Sequence, residues 1–188
     1  MAEILLFHHA QGLTDGVRKF ADDLRAAGHK VHTPDLYEGK TFTDINEGVA
    51  NARSVGFDKL AERGRAAAAD LPQSLVYAGM SMGVGSAQEL AQTRPGARGA
   101  LLMFGALPAS EFGPWPDGVR LQVHAMQDDP WFKEDAEAAQ ELATSVKGGD
   151  LFLYPGDKHL FADSSLSDYD EGATKKLMQR VLGFLKNT

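Results

Sequence analysis

Short runs dense in apolar residues alternate along this chain with longer stretches in which apolar residues recur every three or four positions. The short runs are Ile4–Phe7, Lys30–Thr33, Leu75–Ala78, Ala100–Phe104, Val119–Ala125 and Leu151–Tyr154. Several are apolar at consecutive positions, the pattern of strands covered on both faces. Between them, Val17, Phe20, Ala21 and Leu24 follow helical spacing, and Gly28 is placed to end that helix. Leu60, Ala61, Ala67, Ala68 and Leu71 mark a second helix, stopped by Pro72. Ala87, Leu90 and Ala91 belong to a third, which ends before Pro95; Ala136, Ala139, Leu142, Ala143 and Val146 form a fourth, closed by Gly148-Gly149. Leu177, Met178, Val181, Leu182 and Leu185 form the last. The polar stretch Thr41–Val55 reads as a loop with a short helix.

This alternation predicts a mostly parallel, twisted sheet with right-handed crossovers and helices on both faces, a three-layer α/β architecture. Ligands of such sheets gather at the carboxyl ends of the strands. The segment Gly105–Gly118, rich in Gly and Pro, should overhang that edge and is too short to form a lid domain. A length of 188 residues predicts a single domain over 1–188.

Composition narrows the function classes. A net charge of −7 with no block of basic residues argues against nucleic acid and against an anionic membrane surface as partners. The chain has 0 cysteines, hence no disulfide framework, thiolate metal site or cysteine nucleophile, which suits a reducing compartment. The run Ile4–Phe7 is too short for a signal segment and lacks a basic lead-in. A cytoplasmic protein, monomer or homodimer, is expected.

The chemistry begins at Gly79-Met80-Ser81-Met82-Gly83, a G-x-S-x-G pattern between the run Leu75–Ala78 and the helical pattern Val84–Thr93. A strand that turns abruptly into a helix can hold one serine in a strained conformation, with its oxygen beside the N–H groups that open the helix. Those donors suit an oxyanion. The pattern alone is weak, and a serine there also serves as an N-cap; the strand before and helix after favour a nucleophile.

A serine nucleophile needs a base, usually histidine oriented by a carboxylate. Asp128 and Asp129 follow one predicted strand, and Pro155-Gly156-Asp157-Lys158-His159 follows the next. The chain order is thus Ser81, an aspartate, then His159, the order used by α/β-hydrolases. Asp129 precedes Pro130 and a helix, so it also reads as an N-cap; the two roles are compatible. Spacing alone does not choose between Asp128 and Asp129. The first strand runs into His8-His9-Ala10-Gln11-Gly12. The Ala10 and Met82 N–H groups are the candidate oxyanion donors. His8 and His9 invite a metal reading, but adjacent strand residues point to opposite faces, and no metal is expected. Gly83-Val84-Gly85 hints at a dinucleotide loop, yet Gln88 stands where the third glycine belongs; no cofactor is expected.

With these residues in view, the sequence resembles the dienelactone hydrolase family of α/β-hydrolases over nearly its whole length. The resemblance rests on His8–Leu13, Pro34-Asp35-Leu36-Tyr37, Gly79–Gly83, His124–Asp129, and Tyr154-Pro155-Gly156 leading to His159-Leu160-Phe161. It implies an α/β-hydrolase fold with an eight-stranded sheet trimmed at its start, no large cap, and a nucleophile–Asp–His triad. Matching the His-x-x-x-x-Asp spacing from His124 selects Asp129 as the acid. The resemblance also implies two departures. Dienelactone-cleaving members carry cysteine where Ser81 stands, with a glutamate in place of His9. They carry a carboxylate-binding arginine where Asp163 stands, so Asp163 is expected to repel a carboxylate substrate.

The function implied is hydrolysis of a small carboxylic ester or lactone through Ser81, His159 and Asp129. His9, Gln11, Phe112, Trp115, Trp131, Leu160 and Phe161 are candidates for the substrate pocket, with ordinary core packing as the alternative for each aromatic and aliphatic side chain. Two other functions fit the same residues: a binding or regulatory protein on a retired hydrolase fold, and an acyltransferase or peptidase using the same triad.

Overall fold

Each short apolar run forms a strand, because a helix on either side of the sheet leaves no polar face to satisfy. The computed structural model describes residues 1–188. The strands are β1 (Glu3–Phe7), β2 (Lys30–His32), β3 (Val76–Met80), β4 (Gly99–Met103), β5 (Arg120–Met126) and β6 (Asp150–Tyr154). The helices are α1 (Asp15–Ala26), α2 (Ile45–Val55), α3 (Phe57–Ala69), α4 (Gly83–Thr93), α5 (Phe132–Ser145) and α6 (Glu171–Leu185). All neighbouring strands pair in parallel, in the order β2-β1-β3-β4-β5-β6. The sheet therefore has six strands, the α/β-hydrolase arrangement without its first elements, and no large lid.

Strand alternation divides the core into two layers. On β1, Ile4 and Leu6 face the layer that α1 and α6 cover with Val17, Phe20, Leu24, Leu177 and Val181. Leu5 and Phe7 face the layer covered by Leu60 of α3, Ala87 and Leu90 of α4, and Leu142 of α5. The layers hold 24 buried residues each, which is why the sheet needs helices on both sides. No helix is long and apolar enough to cross a membrane.

The stretch Thr41–Val55 is more regular than its polarity suggests. Asp44 accepts hydrogen bonds from the Asn46 and Glu47 N–H groups and so starts α2, a full 11-residue helix. Gly56 alone joins α2 to α3, at φ 92°, a left-handed value open to glycine at little cost. The resulting helical pair stands beside the carboxyl ends of β1 and β3, where the sheet order reverses direction.

Two buried histidines are structural. His8 donates from Nδ1 to the His9 carbonyl (2.8 Å), and its Nε2 accepts from the Leu36 N–H (3.0 Å), leaving no lone pair for a proton. Burial pushes its pKa down to about 4. His124 lies between Tyr154 Oη (3.0 Å) and Gln122 Oε1 (3.3 Å), stacked on Phe152. Burial, reinforced by the Arg180 charge, pushes it down to about 3. Unfolding restores both to the ordinary value of about 6.5, so the unfolded chain takes up protons that the folded chain refuses. Stability should therefore fall as pH drops below about 6.5, by up to about 1.4 kcal/mol per pH unit for each histidine. Urea midpoints between pH 7 and 5 test this: a declining midpoint is expected, with about half the slope in His124→Gln. A flat profile would contradict burial in the neutral form.

Candidate active site

The turn from β3 into α4 is built from backbone contacts that leave no room for side chains. A Cβ on Gly79 would collide with the Gly83 backbone. One on Gly83 would lie 2.5 Å from the Phe7 carbonyl oxygen and 2.7 Å from that of His8, at the end of β1. Between these glycines Ser81 sits at φ 48°, a conformation that costs a non-glycine residue on the order of 1–3 kcal/mol. It is held there by its N–H donating to the Met103 carbonyl (2.7 Å) and its carbonyl accepting from Val84 (2.8 Å). Its side chain is thereby lifted off the sheet edge.

His159 and Asp129 arrive at the same edge from the loops after β6 and β5. Ser81 Oγ lies 2.8 Å from His159 Nε2, and His159 Nδ1 lies 2.6 Å from Asp129 Oδ2. The carboxylate accepts the Nδ1 proton, which leaves the Nε2 lone pair directed at the serine hydroxyl. Asp129 is fully buried, and its other oxygen accepts from the Trp131 N–H (2.9 Å). One oxygen thus holds the turn before α5 and the other orients the imidazole; α5 itself has Trp131 at its N-cap position and no side-chain cap, so the N-cap reading of Asp129 is not met. Asp128 is exposed, and its carboxylate meets only Gln127. The His159 ring is flanked by Trp131 (5.8 Å between centroids) and Phe104 (6.1 Å), which shield it from water.

The Ala10 and Met82 N–H groups donate to no protein acceptor, and both residues line the cavity that holds Ser81 and His159. Two free donors beside a serine oxygen can receive negative charge developing on a carbonyl oxygen. The cavity has a volume of about 560 Å³. Its walls come from α2 and α3 (Val49, Phe57, Leu60), from α4 (Val84) and from the segment after β4 (Phe104, Leu107).

Of the pocket residues expected from sequence, Phe112 and Trp131 line this cavity, and five do not. Leu160 and Phe161 point into the core, where Phe161 packs on Phe104 and Tyr154. Trp115 turns its indole N–H to the Val119 carbonyl (2.7 Å) and packs on the opposite layer. Gln11 spends its amide on the carbonyls of Phe42 and Thr43 (3.0 Å each), tying down the chain before α2. His9 is fully buried and binds Asp163 instead.

Asp163 also departs from expectation. It does not face the cavity but is fully buried behind it, bonded to His9 Nε2 (2.7 Å), Thr14 and Ser165 (2.6 Å). Burial alone would raise its pKa, but the hydrogen bonds from His9, Ser165 and Thr14 together outweigh it and hold the carboxyl below its usual range. It therefore meets no substrate group directly. Instead it fixes His9, whose Nδ1 accepts the Gln11 N–H (3.2 Å), while the His9 carbonyl accepts from Gly12 (3.0 Å). That ties the turn carrying Ala10 to the loop that follows His159.

Sequence reading missed Phe104, Asp135 and the α2–α3 wall. Phe104 carries a signal in principle, as an aromatic residue ending an apolar strand run on the ligand-binding edge; its φ of 70° was not legible. Asp135 lies within a helical pattern whose polar positions read as solvent-facing, and nothing local distinguishes it.

The model of the "Dienelactone hydrolase family" matches residues 1–188. No curated protein matches the chain. Solved structures are similar across the whole fold. A dienelactone hydrolase from Anabaena variabilis shares 18% identity at a TM-score of 0.67, covering 100% of this chain and 86% of its own. The dienelactone hydrolase-like promiscuous phosphotriesterase P91, from metagenomic libraries, shares 17% at 0.74, covering 100% and 86%. Carboxyl esterase 2 from the fungus Tuber melanosporum shares 16% at 0.62, covering 99% and 78%.

Replacing Asp163 with alanine strands His9 and Thr14 in the core without their acceptor. Such a loss should destabilise the chain by about 1–3 kcal/mol for each donor left unsatisfied, read as a lower urea midpoint at pH 7. A midpoint equal to that of the parent would show that the buried pair contributes nothing.

Proposed function

The chain belongs to the dienelactone hydrolase family, hydrolases on the α/β-hydrolase fold, and on that footing we propose that it cleaves a carboxylic ester or lactone with Ser81 as nucleophile. The observation that carries this reading is the continuous line of hydrogen bonds from Ser81 Oγ through His159 to buried Asp129.

In the proposed reaction His159 Nε2 takes the hydroxyl proton as Ser81 Oγ adds to the substrate carbonyl carbon. The carbonyl oxygen becomes an oxyanion and accepts hydrogen bonds from the Ala10 and Met82 N–H groups. Asp129 balances the positive charge on the imidazole and keeps Nδ1 protonated. The tetrahedral intermediate collapses, the C–O bond to the leaving alcohol breaks, and the alcohol oxygen takes the proton from Nε2. Water then repeats the sequence: it gives a proton to Nε2, its oxygen adds to the acyl carbon, and the bond to Ser81 Oγ breaks with return of that proton. The products are one carboxylic acid and one alcohol, joined in a single molecule when the substrate is a lactone. No step calls on a metal or an organic cofactor. The cysteine-free chain holds no disulfide that a reducing, cytoplasmic setting would break.

A fluorophosphonate probe should label the protein at Ser81, and Ser81→Ala should abolish labelling. The same substitution, and His159→Ala, should each lower turnover of an aryl ester by about 10⁴–10⁶-fold, by analogy with subtilisin. Persistence of the label in Ser81→Ala would reject this serine as nucleophile.

A further inference from the structure

We propose that the cavity selects esters free of negative charge and that Asp135 is the side chain that enforces the selection. The inference rests on the serine-hydrolase reading and deepens it by naming the substrate class.

The lining of the cavity supplies the first observation. Of its 24 residues, 15 are hydrophobic, and neither lysine nor arginine is among the remainder. His159 is the one basic side chain present, and it is engaged by Ser81 and Asp129. An entering carboxylate would find nothing to pair with. Phe57 and Trp131, 59% and 40% exposed, extend the apolar surface to the mouth, so an uncharged substrate meets matching surface from its first contact.

The acidic groups supply the second. Asp58, Glu111 and Glu134 are exposed at the rim, where water screens them, and Glu89 is paired with Arg65 at 2.8 Å. Asp135 differs from all four. It is half-buried on the inner wall and takes part in none of the ion pairs of the fold. Its carboxylate is seated against Gly105: a Cβ there would lie 3.0 Å from Asp135 Oδ2. Gly105 follows Phe104 directly, so the seat lies on the segment that flanks the His159 ring. Burial pushes the carboxyl up; the Ala106 backbone N–H pulls it back down. An acid with no ion-pair partner in that position places its field inside a low-dielectric pocket, where a second negative charge is costly. Discrimination against anionic substrates, expected from Asp163 on sequence grounds, thus falls to a different residue on a different element.

Three 4-nitrophenyl esters of equal reach test this. The hexanoate and the methyl adipate are neutral, and the mono-adipate ends in a carboxylate too far from the ester to alter its intrinsic reactivity. The wild-type protein should cleave both neutral esters with kcat/KM about 10²-fold above the anionic one, and the gap should survive added salt, which screens the exposed rim acids far more than a half-buried one. In Asp135→Asn the neutral-to-anionic ratio should fall by about tenfold or more. In Glu134→Gln, on the exposed rim, it should change by less than about twofold. Because the ratio is internal to each protein, a general loss of activity cancels. Equal cleavage of the three esters by the wild type, or an unchanged ratio in Asp135→Asn, overturns the inference while leaving the hydrolase reading intact. No Ser81-dependent cleavage of any of them overturns both.

Discussion

The close pass of three backbone segments, at Gly79, Gly83 and the end of β1, is the constraint from which the site follows. Neither glycine has space for a Cβ, so β3 can press its last residues against both the new helix and its neighbouring strand. That packing holds Ser81 at a positive φ that its own preferences oppose. The same compression brings Met82, at the start of α4, close to the turn after β1 where Ala10 lies. One tight junction therefore presents a serine oxygen and two free N–H donors together.

The rest of the site depends on parallel pairing. Because every strand runs the same way, the loops after β1, β3, β4, β5 and β6 all emerge on one edge, and residues far apart in the chain meet there without further arrangement. Asp129 exploits this by dividing its two oxygens between the Trp131 N–H and His159. A carboxylate anchored by the backbone loses little freedom when it orients an imidazole, so the turn before α5 also steadies the His159 ring. His9 and Asp163 do comparable work out of sight of the cavity, joining the loop after β1 to the loop after β6.

Much of this was legible in the sequence. Unbroken apolar runs and 3.6-residue periodicity gave the strands and most helices, since burial on both faces leaves a direct mark on composition. Ser81, His159 and the pair Asp128/Asp129 were legible because they stand just past strand ends, and a parallel sheet turns chain order into position. The helix α2 was underestimated, because capping by Asp44 and packing of Gly48 against the Ala10 backbone mattered more than its polar pattern. The pocket aromatics were separable only in part. Leu160 and Phe161 follow His159 in the loop, but the loop turns inward there, and core and cavity are equally apolar.

The sequence by itself determined the architecture and the identity of the groups that converge, because hydrophobic periodicity and loop position are local properties. Only the tertiary structure decided which aromatic rings border open space, and that Asp163 is buried while Asp135 faces the cavity. Those outcomes depend on the direction in which a side chain leaves its backbone and on what lies a few ångströms away. Both are set by segments remote in the chain.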